Sequence, residues 1–163
     1  MKLVIGNKNY SSWSLRAWLL LATFNLNFEE IQESLRQEKL QERLSQYSPT
    51  NRVPVLIDEN IIVWDTLAIC EYVSEKYLGG EGWPEQEALR AEARAISAEM
   101  HAGFMGVRSE LPMNCRALRT VNPSAAAQKD IARIDDIWAP CTRNYDGPYL
   151  FGAFSIAACF SAP

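Results

Sequence analysis

The chain holds a single histidine, His101, and only four cysteines, Cys70, Cys115, Cys141 and Cys159, with no C-x-x-C pair among them. That inventory cannot supply the ligand spacing of a zinc site, so no metal chemistry is expected. Scattered cysteines of this kind read as reduced thiols in a cytoplasmic protein rather than as a disulfide framework. Long apolar runs are missing too. The longest, Ala17 to Ala22, is far below the ~20 residues that cross a bilayer. The opening stretch Met1 to Gly6 is too short for a signal peptide. No basic block is present: sixteen Lys and Arg stand against twenty Asp and Glu, a net charge of -4. Neither a nucleic acid nor a membrane is therefore an expected partner.

What is present is an ordinary globular composition, 48% hydrophobic over 163 residues, enough for one core or two small adjoining ones. Leu3-Val4-Ile5 reads as a buried strand ending at Gly6. A polar loop follows, then a helix over about 14–24, where Leu15, Trp18, Leu19 and Ala22 repeat at helical spacing. Leu26 to Ile31 predicts a second strand, and Leu40, Leu44 and Tyr47 a short amphipathic helix closed by Ser48-Pro49. Val53 to Ile57 and Ile61 to Trp64 pair as a hairpin around Asp58-Glu59-Asn60. A helix over about 66–77 is ended by Gly79-Gly80. The order βαβαββα predicts a mixed sheet covered by helices, an α/β first domain over 1–80.

Beyond Gly82 the pattern is helical, which predicts an all-α second domain over 83–163. Leu89, Ala93, Ile96, Met100, Phe104, Val107 and Leu111 are spaced by threes and fours, predicting one long helix over 85–111 stopped by Pro112. Ser124 is placed to cap another, bearing Ile131, Ile134, Trp138 and Cys141, with Pro140 inside the pattern. Ser155 opens a last helix. Ser155-Ile156-Ala157-Ala158 lacks the acidic fourth residue of a capping box.

Three segments carry a resemblance to the glutathione S-transferase family. Tyr10-Ser11-Ser12-Trp13-Ser14-Leu15-Arg16, between first strand and first helix, resembles the serine motif of zeta-like and related bacterial members. Ser48 to Leu56, with Val53-Pro54, resembles the family's cis-proline segment. Trp64-Asp65-Thr66-Leu67-Ala68-Ile69 is similar to the acid-plus-hydroxyl motif that grips the γ-glutamyl end of glutathione. The resemblance runs to Gly152-Ala153-Phe154-Ser155-Ile156-Ala157. It implies a thioredoxin-like first domain that binds glutathione as co-substrate, and a helical second domain that supplies the pocket for the electrophile. Set against the family, the second domain is expected to be truncated.

The serine motif also makes chemical sense by itself. Making thiolate the main form of a thiol whose pKa is near 8.5 requires a fall of about two units, or roughly 2.7 kcal/mol. A hydroxyl donated to charged sulfur supplies about 1.5–3 kcal/mol, and a helix N-terminus about 0.3–1 kcal/mol. Together these suffice without a general base. By the resemblance Ser11 is the first choice as donor and Ser12 the second, with Ser14 as helix cap. Ordinary capping and solvation by all three serines is the alternative. The resemblance likewise implies that Val53, before a cis Pro54, offers its backbone to the cysteinyl part of glutathione, with Arg52 as a further contact. Thr66 would take a carboxylate of the ligand, and Asp65 its α-ammonium group or the local turn. His101, Met100, Phe104 and Cys70 are expected to be packing residues, although Met100, Phe104, Met105 and Arg108 border the region where the family places its electrophile pocket.

These features imply a cytoplasmic, homodimeric glutathione transferase of the detoxification type, acting on a small hydrophobic electrophile. A zeta-like isomerase of an unsaturated diacid, and a non-catalytic glutathione-binding module, are the alternatives.

Overall fold

The computed structural model describes residues 1–36 and 38–162; Gln37 and Pro163 lie outside the described residues. The chain divides into two compact units, Met1–Gly82, joined by Ala162, and Trp83–Ser161.

The first unit is built on four short strands, β1 (Lys2–Ile5), β2 (Glu29–Gln32), β3 (Val55–Asp58) and β4 (Ile61–Trp64), in the order β2-β1-β3-β4. β1 runs parallel to β2 and antiparallel to β3, and β3 forms the expected hairpin with β4. The sheet is therefore mixed, as the element order requires. Leu3, Val4, Ile5, Val55 and Leu56 are fully buried, as central strands covered on both faces must be. Its two edges differ. β2 carries Glu29 and Glu30, charged side chains that discourage further strand pairing. On β4, Ile61, Ile62 and Trp64 remain nearly half exposed.

Three helices complete this unit, α1 (Ser12–Thr23), α2 (Leu40–Ser45) and α3 (Thr66–Tyr77). Ala17, Leu20 and Leu21 of α1, and Ile69, Cys70 and Val73 of α3, are fully buried, and the two helices pack on each other. The second strand begins three residues later than its apolar run suggested, because Leu26, Asn27 and Phe28 lie outside the ladder that starts at Lys2 opposite Glu29.

α3 is fastened to the sheet by one carboxylate. Asp58, the last residue of β3, is almost fully buried, and its Oδ2 accepts bonds from the hydroxyls of Tyr72 (2.7 Å) and Tyr77 (2.6 Å) and from Lys76 Nζ (2.8 Å). Lys76 first, then the Tyr77 hydroxyl, holds the Asp58 carboxyl well below the usual carboxylate range, against the opposing pull of burial.

The second unit contains α4 (Glu87–Ala102), α5 (Met105–Glu110), α6 (Ala125–Arg143) and α7 (Ile156–Ser161). The single long helix expected over 85–111 is thus two. The break falls at Gly103, which is extended, and Phe104, whose φ is 63°. Arg108 then turns back, donating from Nε to Gly103 O (2.9 Å) and from Nη2 to Met100 O, so the carbonyls left at the end of α4 are taken up. Met100 and Phe104 are buried, as core residues should be. α6 begins at the expected cap, Ser124, whose hydroxyl accepts Ala127 N–H (3.3 Å). It runs through Pro140 to Arg143 without ending there. Pro140 sits in the last turn, so the missing donor affects only one bond near a terminus.

α5 and α6 meet closely. A methyl group on Gly106 would lie 2.8 Å from Ala127 N and 2.9 Å from Ala126 C. Asp130 Oδ2, on α6, takes the amides of Gly106 (2.8 Å) and Val107 (3.2 Å) at the start of α5. α7 packs on α4, with Ile156, Ala157, Cys159 and Phe160 fully buried. His101 is half-buried, its ring 5.9 Å from that of Phe160.

Two stability outcomes follow from these contacts. Asp58→Asn should lower unfolding free energy at neutral pH by about 2 kcal/mol, the scale of hydrogen bonds to a charged group, reduced because Lys76 is partly exposed. A depressed carboxyl stabilises the fold above its unfolded pKa near 3.9 and loses that contribution as pH falls through the folded value. Urea melts should therefore separate the variant from the parent at pH 7, with the gap narrowing progressively as pH falls below about 4 toward the depressed folded value. Gly106→Ala, ordinarily a gain in a helix, should instead cost about 1–3 kcal/mol, because the atoms it meets are backbone. Thermal melts of that variant settle the sign.

Candidate functional site

The strand registers set which corners of the first unit adjoin. Val4 lies opposite Val55, and Val55 opposite Trp64. The last residues of β1, the segment entering β3 and the last residues of β4 therefore share one edge of the sheet. Gly6 follows β1, Val53-Pro54 precedes β3, and Asp65-Thr66 follows β4. The N-termini of α1 and α3 open at the same edge. A crevice where strand ends meet helix starts is a recurring ligand position.

At the first corner, Ser11 is the residue before α1, and its carbonyl accepts the first helical bond, from Leu15 N–H (3.0 Å). Its hydroxyl makes no cap bond. It is buried, and donates instead to Ser14 Oγ at 2.8 Å. Ser14 is not the cap that sequence spacing suggested: it is the third residue of α1, and its Oγ also accepts Gly6 N–H at 3.0 Å. The reason is geometric, since the turn from Asn7 to Ser11 closes through Asn7 O, which takes both Tyr10 N–H and Ser11 N–H. That turn folds α1 back over the end of β1 and carries Ser14 onto it. Ser12, the second candidate, is the half-buried first residue of α1. No acidic residue occupies the first turn of α1, so its positive end is not neutralised there.

At the second corner the Val53–Pro54 peptide bond is cis. Pro54 is buried and Val53 half-buried. Arg52 is exposed. Before them a compact turn is held by Ser48, whose Oγ accepts Thr50 N–H (3.1 Å) and shares a bond with Thr50 Oγ1 (2.8 Å).

At the third corner Asp65 has φ 77° and caps α3, its Oδ1 accepting Leu67 N–H (2.9 Å) and Ala68 N–H (3.3 Å). Thr66 is buried, and its hydroxyl donates to Trp13 O at 3.0 Å. That bond ties the start of α3 to the first turn of α1, two residues past Ser11. The Thr66 amide, at the first helical position, has no acceptor within its own helix.

The structure thus brings Ser11, Val53-Pro54, Asp65 and Thr66 to one edge, with Ser12 beside them and Arg52 at the surface. Two residues of this corner were not singled out from the sequence. One is Ser14 as the partner of Ser11; the other is Gly6, where an added methyl would lie 2.7 Å from Leu35 Cδ1 and 3.1 Å from Ser11 Oγ. A serine three residues after Ser11, facing a glycine that ends a strand, was the available signal. Among the described residues no group of His, Cys, Asp and Glu could hold a metal ion, and no helix is long and apolar enough to cross a membrane.

Residues 10–76 match the family model of the glutathione S-transferase N-terminal domain. A probable maleylacetoacetate isomerase of Caenorhabditis elegans is 28% identical over 116 residues, 71% of this chain and 52% of that protein. The chain thus spans about half the length of that curated relative. Among solved structures, a glutathione transferase homologue from Burkholderia GL BGR1, with bound glutathione, superposes with a TM-score of 0.71 at 25% identity, over 98% of this chain and 76% of the other. A maleyl pyruvate isomerase, described as a bacterial zeta-class glutathione S-transferase, gives 0.74 at 22% identity, over 98% and 78%.

Proposed function

We propose that this chain, whose residues 10–76 match the glutathione S-transferase N-terminal domain, is a member of that family and a glutathione-dependent enzyme that activates the thiol through Ser11 for attack on a small hydrophobic electrophile. The observation that carries this reading is the convergence of Ser11, Val53–cis-Pro54 and Asp65-Thr66 on one sheet edge.

The reading divides the tripeptide by charge. On this reading the thiolate lies at the start of α1, whose first turn holds no acidic residue, beside the Ser11 hydroxyl. The γ-glutamyl end lies at α3. There the Thr66 amide meets its carboxylate, joined by the Thr66 hydroxyl once its proton leaves Trp13 O for the ligand, and Asp65, whose Oδ1 caps α3, meets the ammonium group. Val53 offers its backbone to the cysteinyl unit as one rung of an added strand, and Arg52 is a surface contact for a ligand carboxylate. Removal of the thiol proton goes to solvent, and the stabilised thiolate then attacks. A cytoplasmic homodimer is proposed, supported by the apolar side chains left open on β4, Ile61, Ile62 and Trp64.

A second reading is glutathione-dependent cis–trans isomerisation of an unsaturated diacid. The isomerase similar to this chain supports it. Turnover of a generic aromatic halide with loss of free thiol distinguishes the first reading, and unconsumed glutathione with a diacid substrate distinguishes the second. Saturable glutathione binding with neither reaction would leave a binding module.

Ser11→Ala should raise the apparent pKa of bound glutathione by about one to two units while affinity changes little. Thiolate absorbance followed against pH measures it. A shift in Ser12→Ala, with none in Ser11→Ala, reassigns the donor.

Thr66→Ala and Asp65→Ala should each weaken glutathione binding by roughly 1.5–3 kcal/mol and leave turnover at saturation nearly unchanged, since both grip a part remote from sulfur. Asp65→Ala should also lose about 1 kcal/mol of stability with its cap. Calorimetric titration alongside melts separates the two effects. A fall in saturated turnover with affinity intact would contradict the assignment.

A further inference from the structure

We infer that Ser14 is a positioning residue for Ser11, a relay hydroxyl through which the end of β1 sets the orientation of the thiol-activating group. The inference rests on the reading of Ser11 given above. Ser14 Oγ stands between two fixed points, accepting Gly6 N–H at 3.0 Å and the Ser11 hydroxyl at 2.8 Å, and it is buried with Ser11. Gly6 closes the other side, its missing methyl leaving room that would otherwise press on Ser11 Cβ and Oγ at 3.0 and 3.1 Å. Ser11 Oγ is therefore held by a strand end and a helix residue rather than by its own loop.

Without ligand, the single Ser11 proton points to Ser14. A thiolate requires that proton. A hydroxyl offers one donor and two acceptor positions, so a small turn of each side chain reverses the contact. Ser11 then donates to sulfur, and Ser14 donates to Ser11 Oγ while still accepting Gly6 N–H. Each hydroxyl keeps its own proton, and the thiol proton leaves to water. Donation from Ser14 polarises the Ser11 hydroxyl and strengthens its bond to sulfur, as in any chain of aligned hydrogen bonds.

The test uses the full chain and glutathione itself. Ser14→Ala should raise the apparent pKa of the bound thiol by about half a unit to one unit, with affinity for glutathione within about twofold. Ser14→Thr, which restores the hydroxyl, should return the parent pKa. Ser14→Cys, nearly isosteric but a weak donor, should behave as Ser14→Ala and keeps the test usable if alanine impairs folding. Ser11→Ala and the double variant Ser11→Ala with Ser14→Ala should share one pKa, because Ser14 acts only through Ser11. A lower melting temperature with an unmoved thiol pKa in Ser14→Ala and Ser14→Cys overturns the relay and leaves Ser14 a packing residue. A lowered pKa overturns it as well, since Ser14 would then compete with sulfur for the Ser11 proton. If Ser11→Ala itself leaves the pKa unmoved, the Ser11 reading fails, and the relay with it. If Ser11→Ala raises it and Ser14→Ala does not, only the relay fails.

Discussion

The amide of Gly6 is the constraint on which the candidate ligand edge depends. It lies one residue beyond β1, where the ladder to β2 ends with Ile5 opposite Gln32. A buried N–H at that point needs an acceptor. It finds one in Ser14 Oγ, which requires α1 to turn back over the strand within eight residues. The Asn7 turn, the burial of Ser11 and the direction of α1 all follow from satisfying that one group. Thr66 extends the constraint to α3 by donating across to Trp13 O. The end of β1, the first turn of α1 and the start of α3 are thereby held together by two hydroxyls and one amide.

The two helix starts at this edge are finished differently. α3 has a carboxylate on its first free amides, since Asp65 accepts from Leu67 and Ala68. α1 has a serine whose hydroxyl is turned away from the cap position. One end is therefore partly neutralised and the other keeps its positive character. On the proposed reading, that asymmetry suits a zwitterionic ligand bearing a thiol, with its ammonium group near Asp65 and its developing thiolate near Ser11. The energies involved are modest, about 0.3–1 kcal/mol for a helix end and about 1.5–3 kcal/mol for each charged bond. On that reading they suffice, because the required change in thiol pKa is only about two units.

The α/β order was legible because each element carried its own punctuation. Gly6 closed β1, Glu59-Asn60 turned the hairpin within the expected Asp58-Glu59-Asn60, with Asp58 itself ending β3, and Gly79 and Gly80, both at positive φ, followed α3. The three candidate-site segments stood out through the family resemblance, as short runs at element junctions. The break at Gly103-Phe104 was not, because Met100, Phe104 and Val107 keep their spacing by threes and fours across a residue in the left-handed region. Apolar periodicity reports which side of a segment is buried, not whether its backbone bonds are continuous. Ser14 was misread for a related reason. A serine near a helix start is a favoured cap, and only the fold shows that Gly6, eight residues earlier, needed its oxygen more.

The second unit meets the same kind of demand by different means. Breaking the helix after Ala102 leaves the carbonyls ending α4 and the amides beginning α5 without helical partners. Arg108 answers the first through Met100 O and Gly103 O, and Asp130 answers the second through Gly106 and Val107. Asp130 reaches those amides only because Gly106 lets the α6 backbone come so close. The break therefore depends on a glycine and an aspartate 24 residues apart. α7 shows the converse case. Its Ser155-Ile156-Ala157-Ala158 start has no acidic residue to complete a capping box, yet Ile156, Ala157, Cys159 and Phe160 are fully buried. A missing box forgoes about 1 kcal/mol, whereas burying two large apolar side chains contributes about 1.5–3 kcal/mol each. Burial wins by magnitude, and a six-residue helix too short to persist in water holds its place against α4.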